Sequence, residues 1–322
     1  MIRSGFFARG GVILLTLIIS VLLLAGLASC GTENVGEGED AICFTDDLGR
    51  EVRLTERPVR VAALIGSFAD VWSLAGGELC AAAEDAWEDF GYSGEAVNIG
   101  GAHSPSLELL ISSEPELVLA SASTASNLEI GEAVTDMGIA VAYFDVDNFG
   151  DYLRMLKICT EVTGRPDLYE RHGSMIADEI ERIKADFALS GVPEEERRIL
   201  LLRASSRSVK AKGSSGTVLG EMLADIGCIN IADGDAGLLE DLSVEAIIRE
   251  EPYRIFAVTM GSDTEEATAA LWSMINENPA WRTLEAVECG RVHMMEKELF
   301  NLKPNARWAE AYEGLYEVLT DE

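Results

Sequence analysis

The sequence is poor in side chains that bind bare metal ions and in the motifs of hydrolytic enzymes. It has three histidines, His103, His172 and His293, in 322 residues, too few for the imidazole-rich cages that hold zinc or manganese. None of its six cysteines stands in a C-x-x-C pair, which argues against a zinc knuckle or a thioredoxin-like site. It also lacks a G-x-S-x-G elbow and an H-E-x-x-H sequence, so no catalytic constellation is indicated.

Basic residues are scarce as well. The chain carries 25 Lys and Arg against 56 Asp and Glu, for a formal net charge of −31. Such acidity argues against nucleic acid as a partner, because phosphates demand Lys and Arg. Apolar residues make up 48% of the chain, which is ample for the two domains that this length suggests.

The cysteines leave little scope for a disulfide framework. Apart from Cys30, five remain, so at most two disulfides can form and the sequence does not say which. Cys80 and Cys228 stand in apolar surroundings, and we expect both to be buried free thiols.

The N-terminal residues are typical of a targeting segment. Arg3 and Arg9 precede an uncharged apolar run that ends in Leu27-Ala28-Ser29-Cys30. This is the pattern of a bacterial lipoprotein signal, so residues 1–29 are predicted to be removed and Cys30 to be acylated. The alternative is a plain transmembrane anchor, since the run is about long enough to span a bilayer. Residues 30–41 are rich in Gly and acids and read as a flexible tether.

One pattern occurs twice, 137 residues apart. SLELLISSEPELVLA begins at Ser106 and SVEAIIREEPYRIFA begins at Ser243. Each copy predicts a Ser-capped helix, a Glu-Pro stop and a short apolar strand. A single duplication of this length indicates two similar lobes rather than a solenoid. A cleft between two lobes is a common place for a ligand.

Strand and helix patterns alternate through both halves, and the strands are continuously apolar. This pattern predicts an α/β fold with two Rossmann-like lobes built on mostly parallel sheets. We assign residues 42–150 to an N-terminal lobe, 151–192 to a helical linker and 193–322 to a C-terminal lobe. The linker has apolar residues at helical spacing, which indicates a stiff connector.

Three segments carry a family resemblance: DDLGREVRL with the following RVAALIGSFADVWSLAGG, then NIGGAHSPSLELLISSEPELVLA, and finally LFNLKPNARWAEAYEGLYEVL. With the lipoprotein signal, they make the chain similar to the substrate-binding lipoproteins of bacterial ABC importers whose lobes are joined by a rigid helix. The resemblance implies capture of a ferric siderophore, heme or vitamin B12. It also implies a monomer outside the cytoplasm, lipid-anchored to the cell membrane, with no intrinsic cofactor.

The resemblance further implies a docking role for two glutamates. In the family, one Glu on each lobe contacts the permease of the importer, and through it the ATPase, and the matching positions here are Glu108 and Glu245. The simpler explanation is that a Glu in the first helical turn is favoured by the helix dipole alone. The helix dipole accounts for a Glu at either position alone. It does not account for a Glu at the same position in both copies of the repeated segment.

Ligand-binding candidates follow from the rule that ligands lie beyond the carboxyl ends of parallel strands. Arg203, Arg207, Lys210 and Lys212 form a basic run without an acid, which suggests either an anion clamp or an ordinary exposed basic loop. The aromatic candidates could equally be core residues, and His103 could equally be structural. The residues selected are Ser67, Phe68, Trp87, His103, Ser121, Arg203, Arg207, Lys212, Ser214, Met260 and Phe300.

The sequence therefore predicts a binding protein that delivers an iron chelate, a siderophore ahead of heme, to an ABC importer. Two alternatives within the importer class are a cobalamin-binding protein and a protein that binds a metal ion or an oxyanion directly. A surface-anchored enzyme with its site in the same cleft is the remote alternative.

Overall fold

The computed structural model describes residues 41–261 and 263–321. The predicted signal peptide, Cys30 and residues 30–40 of the tether lie outside them. The described chain opens with an antiparallel hairpin of β1 (Ile42–Thr45) and β2 (Glu51–Leu54), as expected around Asp47-Leu48-Gly49. Asp46 accepts hydrogen bonds from the backbone N–H groups of Leu48 and Arg50 and pairs with the Arg50 guanidinium at 2.8 Å.

The first sheet is wholly parallel. Its strands are β3 (Val61–Ala63), β4 (Leu79–Ala82), β5 (Val97–Asn98), β6 (Leu117–Ser121) and β7 (Ala140–Phe144), in the order β5-β4-β3-β6-β7. The helices among them are α1 (Gly66–Leu74), α2 (Asp85–Glu88), α3 (Leu107–Ser112) and α4 (Ala125–Thr135).

Two long helices connect this sheet to the next. α5 (Phe149–Thr163) starts at a capping box of Asn148 and Asp151 and ends where Gly164 adopts the left-handed conformation. After α6 (Pro166–Tyr169), a π-helical turn (Glu170–Ser174) leads into α7 (Met175–Leu189). The Tyr152 hydroxyl donates to the His172 carbonyl in this turn at 2.8 Å, which ties α5 to the π-helical turn.

The second sheet repeats the plan. Its strands are β8 (Arg198–Ala204), β9 (Val209–Lys212), β10 (Ile229–Asn230), β11 (Arg254–Thr259) and β12 (Val292–Met295). β10, β8, β11 and β12 are parallel in that order, and β9 runs antiparallel to β8. Its helices are α8 (Val218–Ile226), α9 (Ala236–Asp241), α10 (Val244–Glu250), α11 (Thr264–Glu277), α12 (Glu285–Glu288), α13 (Lys297–Phe300) and α14 (Trp308–Thr320). Short 3₁₀ turns occur at Glu194–Arg197, Trp281–Thr283 and Asn305–Arg307.

The sequence repeat is a structural repeat. The strand order β4-β3-β6-β7 in the first sheet corresponds to β10-β8-β11-β12 in the second. Ser106 and Ser243 cap α3 and α10, each accepting a hydrogen bond from the backbone N–H three residues on. The glutamates before the two prolines, Glu114 and Glu251, both take left-handed φ angles, 49° and 42°. The predicted α/β fold with two similar halves is confirmed, while the residue boundaries of the lobes remain predictions.

The basic run is a hairpin, not the loop that the sequence suggested as the simpler alternative. β8 turns back at Ser205–Ser208 into β9, so Arg203 lies opposite Lys210 and Leu201 opposite Lys212. The Ser205 hydroxyl closes the turn by accepting from the backbone N–H of Ser208 at 3.1 Å. Because alternate residues share a face, Arg203, Lys210 and Lys212 lie on one side of the hairpin.

The C-terminal crossing segment (residues 297–305) returns the chain to the first sheet. The Asn305 side-chain amide donates to the Ser67 carbonyl at 3.0 Å and to Asp70 at 2.8 Å. Lys297 pairs with Asp89 at 3.2 Å. One hydrophobic cluster includes Phe68 of the first half and Phe256 of the second, together with Trp308 of α14.

The described cysteines are all free thiols. Cys228 is buried as expected, whereas Cys80 is only half-buried. Burial raises the pKa of Cys228 to about 12, so its thiol stays protonated and unreactive at neutral pH.

Candidate functional site

Two cavities lie beyond the carboxyl ends of the strands, and Asn301 and Lys303 of the crossing segment line both. The first-sheet cavity, of about 170 Å³, is lined by Ile65, Ser67, Phe68, Asp85, Phe90, Ser121, Ser123, Thr124, Asp145, Val146, Asn301, Leu302 and Lys303. The second-sheet cavity, of about 70 Å³, is lined by Asp147, Leu201, Arg203, Lys212, Gly216, Thr217, Val218, Leu219, Val258, Phe300, Asn301 and Lys303.

Hydroxyl groups cluster on the wall of the first-sheet cavity. Ser121 ends β6, and its Oγ accepts from the backbone N–H groups of Ser123 and Thr124, both at 3.2 Å. The Thr124 hydroxyl donates to the same oxygen at 3.0 Å. Ser67 lies at the start of α1, next to Phe68, whose ring packs edge-on against Phe144. Sequence reasoning selected Ser67, Phe68 and Ser121, and the structure brings all three together.

Asp85 reaches this cavity because a glycine lets α2 approach α1 closely. A Cβ at Gly66 would lie 2.5 Å from the backbone N of Ala86, so only glycine fits there. The Gly66 N–H donates to Asp85 Oδ2 at 2.9 Å. Oδ1 of the same carboxylate is buried without a hydrogen-bond partner among the described residues. Burial raises the pKa of Asp85 above its usual value.

The second-sheet cavity is lined by two cations that have no carboxylate partner. Arg203 and Lys212 both line it, and among the described residues neither forms an ion pair. Arg203 Nε is buried without a partner. Burial lowers the pKa of the Arg203 guanidinium, and burial together with Arg203 and Lys210 lowers that of Lys212. In so acidic a chain, unpaired cations facing a cavity indicate a site for an anion.

Lys303 stands between the two cavities and was missed by sequence reasoning. Its Nζ lies 3.9 Å from Asp147 Oδ1, and burial lowers its pKa. The stretch Leu-Lys-Pro around it has no helical or strand periodicity, so no pattern placed it at the cleft. The composition offered one hint: in a chain this acidic each of the six lysines is a candidate for binding an anion, and Lys212 and Lys303 are two of them.

Phe300 lines the second-sheet cavity as proposed, but five other candidates are absent from the described lining of both cavities. Trp87 packs edge-on against Tyr92 at 5.5 Å. His103 and Arg207 are exposed in turns, and Met260 follows β11 with 43% of its surface exposed. The Ser214 backbone N–H donates to Asp233 at 2.7 Å.

Glu108 and Glu245 occupy equivalent exposed positions in the first turns of α3 and α10. Neither lines a cavity within the described chain. This placement is compatible with contact to another protein and removes both side chains from the ligand.

A larger groove of about 680 Å³ lies between α7 and α14. Both arginines of its walls are already paired: Arg182 contacts Glu313 at 3.8 Å and Arg307 contacts Glu310 at 2.7 Å. The charge left over is negative, because four glutamates line the groove, so it does not suit an anionic ligand and the two smaller cavities remain the better candidate site.

A model of the periplasmic binding protein family matches residues 61–299. The chain belongs to this family. The match spans both sheets and the linker, so the resemblance noted in the sequence is confirmed, together with the interpretation as a solute-binding protein of an importer.

Individual relatives agree with the family assignment. The chain is 23% identical over 300 residues to the Fe(3+)-citrate-binding protein YfmC of Bacillus subtilis, covering 89% of each chain. Staphylococcus aureus SirA, solved with staphyloferrin B, superposes with a TM-score of 0.65 at 17% identity, covering 87% of this chain and 99% of SirA. Staphylococcus aureus IsdE, solved with heme, gives a TM-score of 0.68 at 14% identity, covering 82% and 99%. At such identities the two solved structures support the fold alone.

The family operates outside the cytoplasm. Within the described residues, no helix combines the length and apolar character needed to cross a membrane.

Proposed function

We propose that this protein captures a small, anionic ferric chelate and delivers it to the permease of an ABC importer. The observation that carries the proposal is the set of cations at the second-sheet cavity: Arg203 and Lys212 lack carboxylate partners, and Lys303 has only a long contact with Asp147. Charge-assisted hydrogen bonds from such groups bind carboxylate or catecholate oxygens strongly. The relative named for ferric citrate binding supports the same ligand class.

The cavity linings favour a siderophore or polycarboxylate chelate over heme. Neither described lining contains a His, Cys, Tyr or Met, the side chains that serve as axial ligands of heme iron. An uncharged ligand such as cobalamin would leave the cations unpaired. A bare metal ion is disfavoured because no group of three potential ligands occurs in the described chain.

Delivery and anchoring complete the proposal. Glu108 and Glu245 are proposed to dock with basic residues of the permease, and Cys30 is proposed to carry a lipid that holds the protein at the outer face of the cell membrane. The protein is proposed to act as a monomer and as a carrier without catalytic turnover or an intrinsic cofactor.

Calorimetric titration with ferric citrate tests the ligand class. We expect Arg203→Ala to weaken binding roughly ten- to hundred-fold, the usual effect of losing a charge-assisted hydrogen bond. Arg207→Ala is the matched control, because it removes the same charge from the exposed turn of the same hairpin.

Equal affinities for wild type and Arg203→Ala would contradict the anion clamp. Binding of cyanocobalamin in place of the ferric chelate would contradict the ligand class.

A further inference from the structure

The two cavities differ in charge. Arg203 and Lys212 face the second-sheet cavity, where Asp147 is the one acidic residue of the described lining, whereas Asp85 and Asp145 line the first-sheet cavity beside a cluster of hydroxyls. Lys303 stands at the junction, within 3.9 Å of Asp147. A ligand that fills both cavities therefore meets positive charge at one end and negative charge at the other.

Asp85 has one oxygen that the fold does not use. Oδ2 accepts the N–H of Gly66 at the start of α1, where the N-cap residue Ile65 provides no side-chain acceptor. That contact explains one carboxylate oxygen, and an asparagine would serve equally well. Oδ1 is buried without a donor among the described residues. A buried acceptor without a partner is costly, and it indicates that a donor is supplied from outside the fold.

The surroundings of Asp85 favour a cationic donor. Asp145 lines the same cavity, and its negative charge adds to the attraction for a positively charged group. Asp85 forms no ion pair in the described chain, so its charge is available to a ligand.

Given the function proposed above, we propose that the ligand is an amphoteric chelate. Its anionic oxygens bind Arg203 and Lys212, and a protonated amine at its other end donates to Asp85 Oδ1. Asp85 is then the residue that separates amine-bearing chelates from plain polycarboxylates, and the protein binds its ligand in one orientation.

Two ferric chelates that share a core test this inference by calorimetry with the purified full chain. One is ferric nitrilotriacetate, and the other is the same chelate with a pendant 4-aminobutyl arm. We expect wild type to prefer the amine-bearing chelate at least about tenfold. Asp85→Asn keeps an acceptor for Gly66 and should abolish this preference. Glu88→Gln removes a charge from an exposed position of the same helix, outside both described cavity linings, and should retain it.

Acetylating the amine of the arm removes the positive charge of the ligand, whereas Asp85→Asn removes the negative charge of the protein. Wild type should then lose the preference, which tests the inference even if Asp85→Asn folds poorly. Equal binding of both chelates by wild type, or a preference that survives Asp85→Asn, would overturn the inference while leaving the proposed function intact. If wild type binds ferric citrate but neither of these chelates, the inference alone is overturned; if it binds none of the three, the proposed function is contradicted as well.

Discussion

At the scale of single residues, the side chains that matter at the cleft are those the fold leaves unsatisfied. Asp85 Oδ1 and Arg203 Nε are both buried without a partner. Surface ion pairs, by contrast, are satisfied and contribute little, typically about 0–1 kcal/mol.

His293 is expected to make the stability of the protein depend on pH. It packs at 5.4 Å from the Phe256 ring, and its Nε2 is buried without a partner among the described residues. Burial and the charge of Arg254 lower its pKa. Because the unfolded chain then binds the proton more readily than the folded one, stability should fall as pH drops below the unfolded histidine value of about 6.5.

His293→Phe should reduce the loss of melting temperature between pH 7 and pH 5. His103→Asn, at an exposed position, is the control. An unchanged pH slope in His293→Phe would show that other groups account for the acid sensitivity.

At the scale of elements, the two copies of the repeated helix, α3 and α10, are each capped at the C-terminal end by an arginine. The sequence pattern did not predict this contact. Arg60 donates to the Ser113 and Glu114 carbonyls at the end of α3, and Arg198 donates to the Glu250 carbonyl at the end of α10. Each arginine stands at the start of a central strand, so it ties strand to helix in both halves. The spacing predicted the helices, but a contact over 50 residues in sequence has no local signature.

At the cleft, too, local sequence patterns predicted some residues, whereas others depend on contacts between segments that are distant in sequence. Ser67, Ser121 and Arg203 follow directly from the strand-end rule, because each lies at or near the end of a strand that was recognised. Asp85 comes three residues after β4, so the strand-end rule covers its position, but its contact with the cavity depends on the approach of α2 to Gly66. Lys303 depends on the path of the crossing segment. Both contacts result from tertiary packing, which the spacing of apolar residues in the sequence does not predict.

Gly66→Ala tests the approach of α2 to α1. Alanine favours a helix over glycine, so local propensity alone predicts stabilisation. We expect instead destabilisation of about 1–3 kcal/mol, because the new Cβ meets backbone at 2.5 Å.

Gly101→Ala is the matched control, since its nearest neighbour is the Ser104 side chain at 4.0 Å. Chemical denaturation of both variants measures the difference, and an equal or higher stability for Gly66→Ala would contradict the packing argument.

At the scale of the whole molecule, the docking proposal rests on the equivalent exposed positions of Glu108 and Glu245, one in each half. Reversing either charge places like charges against a basic partner, which costs several kcal/mol at an interface. We expect Glu108→Arg and Glu245→Arg to lower uptake sharply while the affinity of the isolated protein for ferric citrate stays within about two-fold.

Glu265→Arg, on the exposed first turn of α11, is the control for charge reversal at another helix start. Normal uptake in the double variant Glu108→Arg/Glu245→Arg would end the docking proposal.

Anchoring is a second prediction at this scale. Cys30→Ala should leave an unprocessed precursor that incorporates no acyl label, because the lipid is attached to this cysteine before cleavage. Metabolic labelling with a fatty-acid probe, followed by electrophoresis, reports both effects. Labelled protein in Cys30→Ala would place the lipid elsewhere.

The crossing segment has a consequence for the order in which the chain acquires its structure. Asn305 donates hydrogen bonds to Ser67 and Asp70, and the Trp308 ring packs at an angle against those of Phe149 and Tyr152, with centroids 5.8 and 6.4 Å apart. The N-terminal half therefore lacks part of its interior until the last residues have been synthesised and exported. A nascent chain emerging from a ribosome or a translocon cannot finish this half early, and truncation a few residues before Asn305 would leave its aromatic core exposed to chaperones and proteases.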